Sequence, residues 1–479
     1  MKISKSLVVV LSLIVAVNIC SAEVHTCRNC SDCEEKISLA DPGDVVELAN
    51  NITNSYDYCI SVFGAQNIII DCQGNWIIKN SSLGYQHKGI NLQYSYNITI
   101  KNCNLRSYRF TTSDSNYISY LDNKVEESLG DGFLLVRVNS SRLKGNNVTD
   151  CYGDGIDIIG SSNNLTKNVI FNSSGINIMG DYNIVRDNVV EESTIGMWLI
   201  CSTGGIAENN TFINNSYGIS LGGCYEDQVM ILSRDNRIIN NRILNNKEPG
   251  FYGADMVNNT ISGNLIRDNL GDGVQLGGSG QVLNGSLILY YASENRFQDN
   301  IIENNLGNGF YLDEHCQNNT IRYNNIKENH MSGIIFDSAS NNRVNGNNIS
   351  NNSQKGIDII DSNNVTVHEN TACDNTLDIE ISASSIGQGW NNTCSRTSRW
   401  NDMDISGCRY LCEGRVSSTT TTISSTTTTM NSQCTIIGDE PPCGEIMISE
   451  VVNAINSWVI GQMTLQEVIT LINGWALSG

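Results

Sequence analysis

Two carboxylates and a file of aromatic residues are the parts of this 479-residue chain best suited to chemistry. Asp313 and Asp337 stand 24 residues apart. If the chain winds with that period, one falls above the other, with backbones about 5 Å apart. Carboxyls at such a distance can act as acid and nucleophile on a glycosidic bond, or hold calcium jointly. Solvated acidic surface is the plain alternative, because Asp and Glu number 50 here. His315 and His330 lie nearby, on turns where a lone histidine is ordinarily just solvated. At related spacings come Asp157, Asn177, Trp198, Ser220, Tyr252, Gln275, Tyr311, Ile335 and Asp358. Aromatics on a flat outer face suit sugar rings through contacts to their apolar faces. Trp198, Tyr252, Gln275, Tyr311 and Asp358 are therefore the candidate glycan-binding residues.

The elements that must position these residues are read most easily from Ser332 to Asn375. Gly333-Ile334-Ile335-Phe336 returns 23 residues later as Gly356-Ile357-Asp358-Ile359. Asn347 returns as Asn370 at the same offset. Glycines opening such a strand stand at 132, 155, 175, 196, 218, 250, 273, 309, 333 and 356. The steps run from 20 to 24 residues, apart from two of 32 and 36. The first and third residues after each glycine are apolar except Gly253, which is the alternation of a strand with one buried face. A second column, from Asn102 through Asn123, Asn146 and Asn168 to Asn370, marks one turn of every repeat. Asn tolerates left-handed backbone geometry, and its amide both donates and accepts, so stacked copies can bond along the column. A unit this short cannot bury its apolar face alone and must stack on its neighbours. The expected fold is all-β: a right-handed parallel β-helix solenoid of roughly 13 coils, with a small C-terminal α-helical hairpin domain.

The long steps hold insertions, Cys224 to Asp235 and Ser279 to Glu294. Both leave the coil after Gly-x-x-Leu-Gly-Gly, so they project from the same side and mark a binding face. Residues 1–22 read as a signal peptide, with Lys2 and Lys5 before an apolar run and small residues ahead of residue 23. Residues 23–60 read as an N-terminal cap and 61–386 as the β-helix. Residues 387–416 read as a Cys-rich C-terminal cap, 417–432 as a Ser/Thr-rich linker and 433–479 as a helical module.

Cleavage after Ala22 would take Cys20 from the 17 cysteines and leave an even number, as expected of disulfides in an exported protein. Cys201 and Cys224 fall at matching points of adjacent coils and could pair; so could Cys434 and Cys443. The Cys27-x-x-Cys30-x-x-Cys33 cluster reads as disulfides, with zinc the alternative. Sequons such as Asn51, Asn97, Asn258 and Asn364 would suit a glycoprotein. The net charge of −21 opposes nucleic acid and anionic membranes. It also disfavours polyuronates unless a divalent cation bridges. No cofactor is expected, with calcium at the acid pair the alternative, and no span crosses a membrane once the leader is removed.

The run Gly356-Ile-Asp-Ile-Ile-Asp-Ser-Asn-Asn-Val-Thr-Val-His-Glu-Asn370 and its copies resemble the repeats of the NosD-like and pectate-lyase-like superfamily of parallel β-helices. That resemblance implies carbohydrate binding or sugar hydrolysis. The family's Gly-His-Gly and Asp-Pro-His-Asp active sites are missing, and five scattered histidines make a poor copper cluster. The segment from Gly438 to Trp475 resembles half a dockerin, with Asp439, Gly444 and Glu450 at EF-hand positions but Pro441 and Cys443 where ligands belong. It implies a protein partner for the C-terminal module. The favoured reading is a secreted or cell-surface protein that binds polysaccharide or surface glycan along one face. A glycoside hydrolase or lyase using Asp313 and Asp337, and a structural spacer or adhesin, are the alternatives.

Overall fold

A computed structural model describes residues 22–412 except 81–86, 227–228, 284–285 and 404, with backbone alone over 280–288. The signal peptide, the linker, the C-terminal helical module with its dockerin resemblance, Cys434 and Cys443 lie outside the described residues. The described residues wind into a parallel β-helix in which nearly every coil gives one strand to each of three sheets, of 16, 15 and 14 strands. The stack makes about 15 turns rather than 13. The difference lies at the ends. Val24–Cys27 and Val45–Leu48 already pair in the 16-stranded sheet, and Thr397–Ser398 still pairs in the 15-stranded one.

The glycine-led strands form the 15-stranded sheet. Phe133, Ile156, Ile176, Met197, Ile219, Phe251, Val274, Phe310, Ile334 and Ile357 are successive partners in register, and all are buried. Each coil thus covers the apolar edge of the one before it. At Gly253, the gap in the apolar column, a side chain would strike Met256, whose thioether fills the space instead. The leading glycine answers a close approach. A Cβ on Gly309 would sit 2.5 Å from both the Gly333 carbonyl oxygen and Ile326 Cγ2.

The asparagine column is real and has two companions. Asn264 donates its backbone N–H and its amide to Asn300 Oδ1, at 2.9 and 3.0 Å, and accepts the same pair from Asn241. The file ends when Asn392 donates to Asp402. Parallel files run through Asn236, Asn259, Asn295, Asn319 and Asn342, and through Asn215, Asn246, Asn269, Asn305, Asn329, Asn352 and Asn375. Two details correct the sequence reading. The left-handed residue is the one before the ladder asparagine, such as Asn209, Asn240, Asp299 or Tyr323. And Asn102 is such a residue itself; its place in the file belongs to Cys103, whose N–H donates to Asn123 and whose sulfur bonds Cys72.

At the N-terminal end, helix α1 (Cys30–Leu39) lies against the first coils, with Cys33 and Ile37 buried. The Asn29 side chain caps it by accepting from Asp32 N–H. The Cys27–Cys33 and Cys30–Cys59 disulfides fasten it, so these thiols are not zinc ligands. At the other end, Cys373–Cys412 and Cys394–Cys408 staple the last coil. The even-number expectation is only partly met, because Cys151 and Cys316 are buried and unpaired. Disulfides on this scale belong to an oxidising compartment, extracellular or periplasmic. Among the described residues no helix is long and apolar enough to cross a membrane.

Candidate functional site

The outward residues of the 15-stranded sheet form one unbroken file in register: Thr111, Leu134, Asp157, Asn177, Trp198, Ser220, Tyr252, Gln275, Tyr311, Ile335, Asp358 and Glu380. The alternation that buries one set of side chains leaves this set on the opposite face, at steps of about 4.8 Å. Trp198 is 40% exposed, the most open aromatic of the file. Tyr252 is half-buried, with its ring edge-on to Tyr217 at 6.3 Å.

Both insertions are antiparallel hairpins. Cys224–Glu226 pairs with Val229–Ile231, and Ser279–Leu283 with Ser286–Tyr290. They stand on the same side, and Tyr225 of the first meets Tyr290 of the second edge-on at 6.2 Å. The second glycine at each exit has a steric reason. A Cβ on Gly278 would lie 2.2 Å from the Tyr290 carbonyl oxygen, so the returning strand needs a glycine there. Cys201 and Cys224 form a disulfide that ties the first hairpin to the sheet edge. Between hairpin and sheet lies a groove of about 730 Å³ whose lining includes Ile159, Met179, Cys201, Tyr225 and Ile231. Ile159 and Met179 sit two residues beyond Asp157 and Asn177 on the same strands, so the groove opens beside the outward file.

The acid pair read from the sequence is differently engaged. The strand holding Tyr311 ends at Leu312, and Asp313 enters a turn closed by Cys316 N–H to its carbonyl. Its carboxylate accepts from His315 N–H at 2.8 Å, the bonding of an Asx turn, and burial raises it. Asp337 stays in its strand, opposite Ile360, and accepts the Tyr311 hydroxyl at 2.9 Å. Burial, then that bond, pushes Tyr311 up to about 12. Gln275 is half-buried in the file between Tyr252 and Tyr311. Asp358 is only 5% exposed and is bound by Lys355 at 2.7 Å, which removes it from the ligand-facing surface. His315 faces the Tyr291 ring at 6.1 Å.

A second carboxylate group, which the spacing argument passed over, lies where the file begins. Asp131, Asp154 and Asp272 all directly precede a column glycine. Asp131 accepts Asp154 N–H at 3.1 Å and Arg109 Nη1 at 2.9 Å. Asp272 accepts the backbone and side-chain N–H of Asn308. Asp154 takes no such backbone donor among the described residues, and its electrostatic neighbours are Asp157, Asp131 and Asn177. Asn177 Nδ2 donates to Asp157 at 3.1 Å. Burial first, then the charges of Asp157 and Asp131, push the Asp154 carboxyl up to about 7. Burial and Asp131 push Asp157 up to about 6, against the pull of Asn177 and Arg109. Only Asp157 and Asn177 of this group stand out in the sequence. Arg109 and Asp131 become neighbours through coil stacking, which no local motif announces.

Two sequence families match. The family described as periplasmic copper-binding protein (NosD) covers residues 158–284 and 281–407, together more than half of the chain. The chain belongs to the NosD family. The family described as right handed beta helix region covers residues 37–195 and agrees with the handedness expected of the winding. No curated protein matches the chain. Similar solved structures include the Azotobacter vinelandii mannuronan C-5 epimerase AlgE4 A-module, at 12% identity, 79% of this chain, 96% of that one and TM-score 0.42. The catalytic unit of a GH87 alpha-1,3-glucanase from Streptomyces thermodiastaticus follows at 13%, 78%, 66% and 0.39. The periplasmic alginate epimerase AlgG gives 12%, 74%, 75% and 0.32. At such identity and score none of them lends a residue role to this NosD-family chain. Nor does the copper of the family's description find a donor set among the described residues. His25 binds Asp44 and His368 stacks on Trp390, and among the described residues no three metal-capable side chains converge.

Proposed function

We propose that this NosD-family protein binds a polysaccharide along the outer face of its 15-stranded sheet, as a secreted or cell-surface protein. The observation that carries this reading is the half-open Trp198 in the polar and aromatic run from Asp157 to Tyr311, beside a hairpin-walled groove. Such a face offers ring-stacking surface and hydrogen-bonding groups at each rung, which suits a repeating ligand better than a compact one. A docking role for the C-terminal module, with a protein as its partner, belongs to the same proposal.

The second reading is a hydrolase or lyase centred on Asp313 and Asp337. What favours it is their unlike surroundings, one raised by burial and one bonded to a tyrosine hydroxyl. A glycan array probed with the full chain, with Trp198→Ala and with Tyr252→Ala tests the first reading. Binding lost in both variants without sugar release supports it. Reducing-sugar release abolished by Asp313→Asn would replace it with the second. Neither signal would leave a structural spacer.

A further inference from the structure

Asparagine has two separate roles in this fold. The ladder asparagines are buried, and none of them heads an Asn-x-Ser/Thr sequence. In two of the three files the alternation forbids it. The residue two places on turns inward and is apolar, as in Asn210-Thr211-Phe212 and Asn319-Thr320-Ile321. The left-handed residue just before a ladder asparagine is the opposite case, because the residue two places after it faces outward. Asn209, Asn318 and Asn351 are of this kind. All three are exposed, and Thr211, Thr320 and Ser353, which complete their sequons, are not buried. Among the described residues their side chains take no hydrogen bond. One stands on each corner of the coil. Asn318 lies between the 15- and 16-stranded sheets, Asn209 between the 16- and 14-stranded sheets, and Asn351 between the 14- and 15-stranded sheets. Asn97, Asn172, Asn258 and Asn364 repeat the exposed left-handed setting, each with its amide donated to a side chain of the coil before.

The outer face of the 15-stranded sheet differs. No residue of its outward file heads a sequon. The strands of that sheet hold one, Asn139, at the rim of the groove. Asn139 is half-buried and held at both ends of its amide. Its Nδ2 donates to Asn116 at 3.2 Å, and its Oδ1 accepts Ser161 N–H at 2.8 Å.

We propose that Asn209, Asn318 and Asn351 carry N-linked glycans and that Asn139 does not, so that the coil wears a sugar coat which leaves the 15-stranded face bare. In the transfer, the asparagine Nδ2 forms a bond to the anomeric carbon of a polyprenyl-linked glycosyl phosphate. The anomeric C–O bond breaks, the phosphate leaves with its electron pair, and the amide gives up one proton. A glycan on a corner residue extends into solvent and leaves every ladder bond in place. A glycan on Asn139 would disturb both of its bonds and stand in the mouth of the groove. The coat does not depend on what the bare face binds.

The test is glycopeptide mass spectrometry on the full chain purified from its own source, with the sugar located by electron-transfer fragmentation. We expect a sugar mass on Asn209, Asn318 and Asn351, and the Asn139 peptide only at its bare mass. Two variants made in the same host separate the modification from exposure alone. Thr320→Ala should remove the glycan from Asn318 with the circular dichroism unchanged, and Thr320→Ser should keep it. Bare asparagine at all three corners overturns the proposal, as does a glycan on Asn139. A glycan that persists on Asn318 in Thr320→Ala overturns a sequon-directed transfer. Glycosylated corners on a chain that binds no polysaccharide support the coat and overturn only the binding reading.

Discussion

Asn264 holds a place where water cannot substitute for it. It is 1% exposed, donates to Asn300 and to the Ile238 carbonyl, and accepts two bonds from Asn241. Replacing it by leucine strands the N–H groups of Asn241 and the Ile238 carbonyl, and each buried orphan costs about 1–3 kcal/mol. Asn264→Leu should therefore lower stability by about 3 kcal/mol or more, read as a shift in the urea midpoint. Asn209, exposed and left-handed, is the control: Asn209→Gly should move the midpoint little. A pH prediction belongs to this scale too. Folding raises Asp154 and Asp157 above the ordinary 3.8, so the native state holds protons that the unfolded chain has already released. Their contribution is fully present below about pH 4 and is lost as pH rises through about 6 and then about 7. Asp154→Asn should flatten that decline and raise the melting temperature at pH 8. Asp71 and Glu126, held low by their bonds to Asn102 and Gln73 and to Lys124 and Arg106, act the other way. Their contribution is lost in acid, below the ordinary carboxylate range.

Among the elements, the glycine-led strand was the most legible, because its period of two and its 23-residue return both survive in the bare letters. Steric demand explains why the glycines persist. Gly309→Ala would push a methyl into a backbone carbonyl and an isoleucine, and should cost about 1–3 kcal/mol in thermal unfolding. Helix α1 was not legible; with Cys33 and Ile37 as its only buried residues it shows little apolar periodicity, and its cysteines drew the reading instead. The insertions announced themselves as the two long steps, but their hairpin form and their meeting through Tyr225 and Tyr290 are tertiary facts. The Cys201–Cys224 bond holds the first hairpin against the groove. A Cys201→Ser, Cys224→Ser double variant should keep the solenoid's circular dichroism and melting midpoint nearly unchanged. It should bind glycan several-fold more weakly, because the wall must then be ordered on binding.

For the whole molecule, stacking makes the chain nearly one-dimensional, so what one coil shows outward its neighbours extend into a file. This is why the face could be read in advance and the acid corner could not. Trp198 and Tyr252 share a repeat position visible in one dimension, and so do Asp131 and Asp154, but the bond that brings Arg109 to Asp131 is made only across rungs. In a chain with 50 acidic residues nothing local singles out those that lack a cation. The central claim is that ligand lies along the file between Asp157 and Tyr252. Hydroxyl-radical footprinting with and without a bound polysaccharide measures this directly. The account predicts protection of Trp198, Met179 and Tyr225, with Tyr323, exposed elsewhere on the coils, labelled as before. Unchanged labelling of Trp198 in the saturated complex, or protection centred on Tyr323, would contradict it.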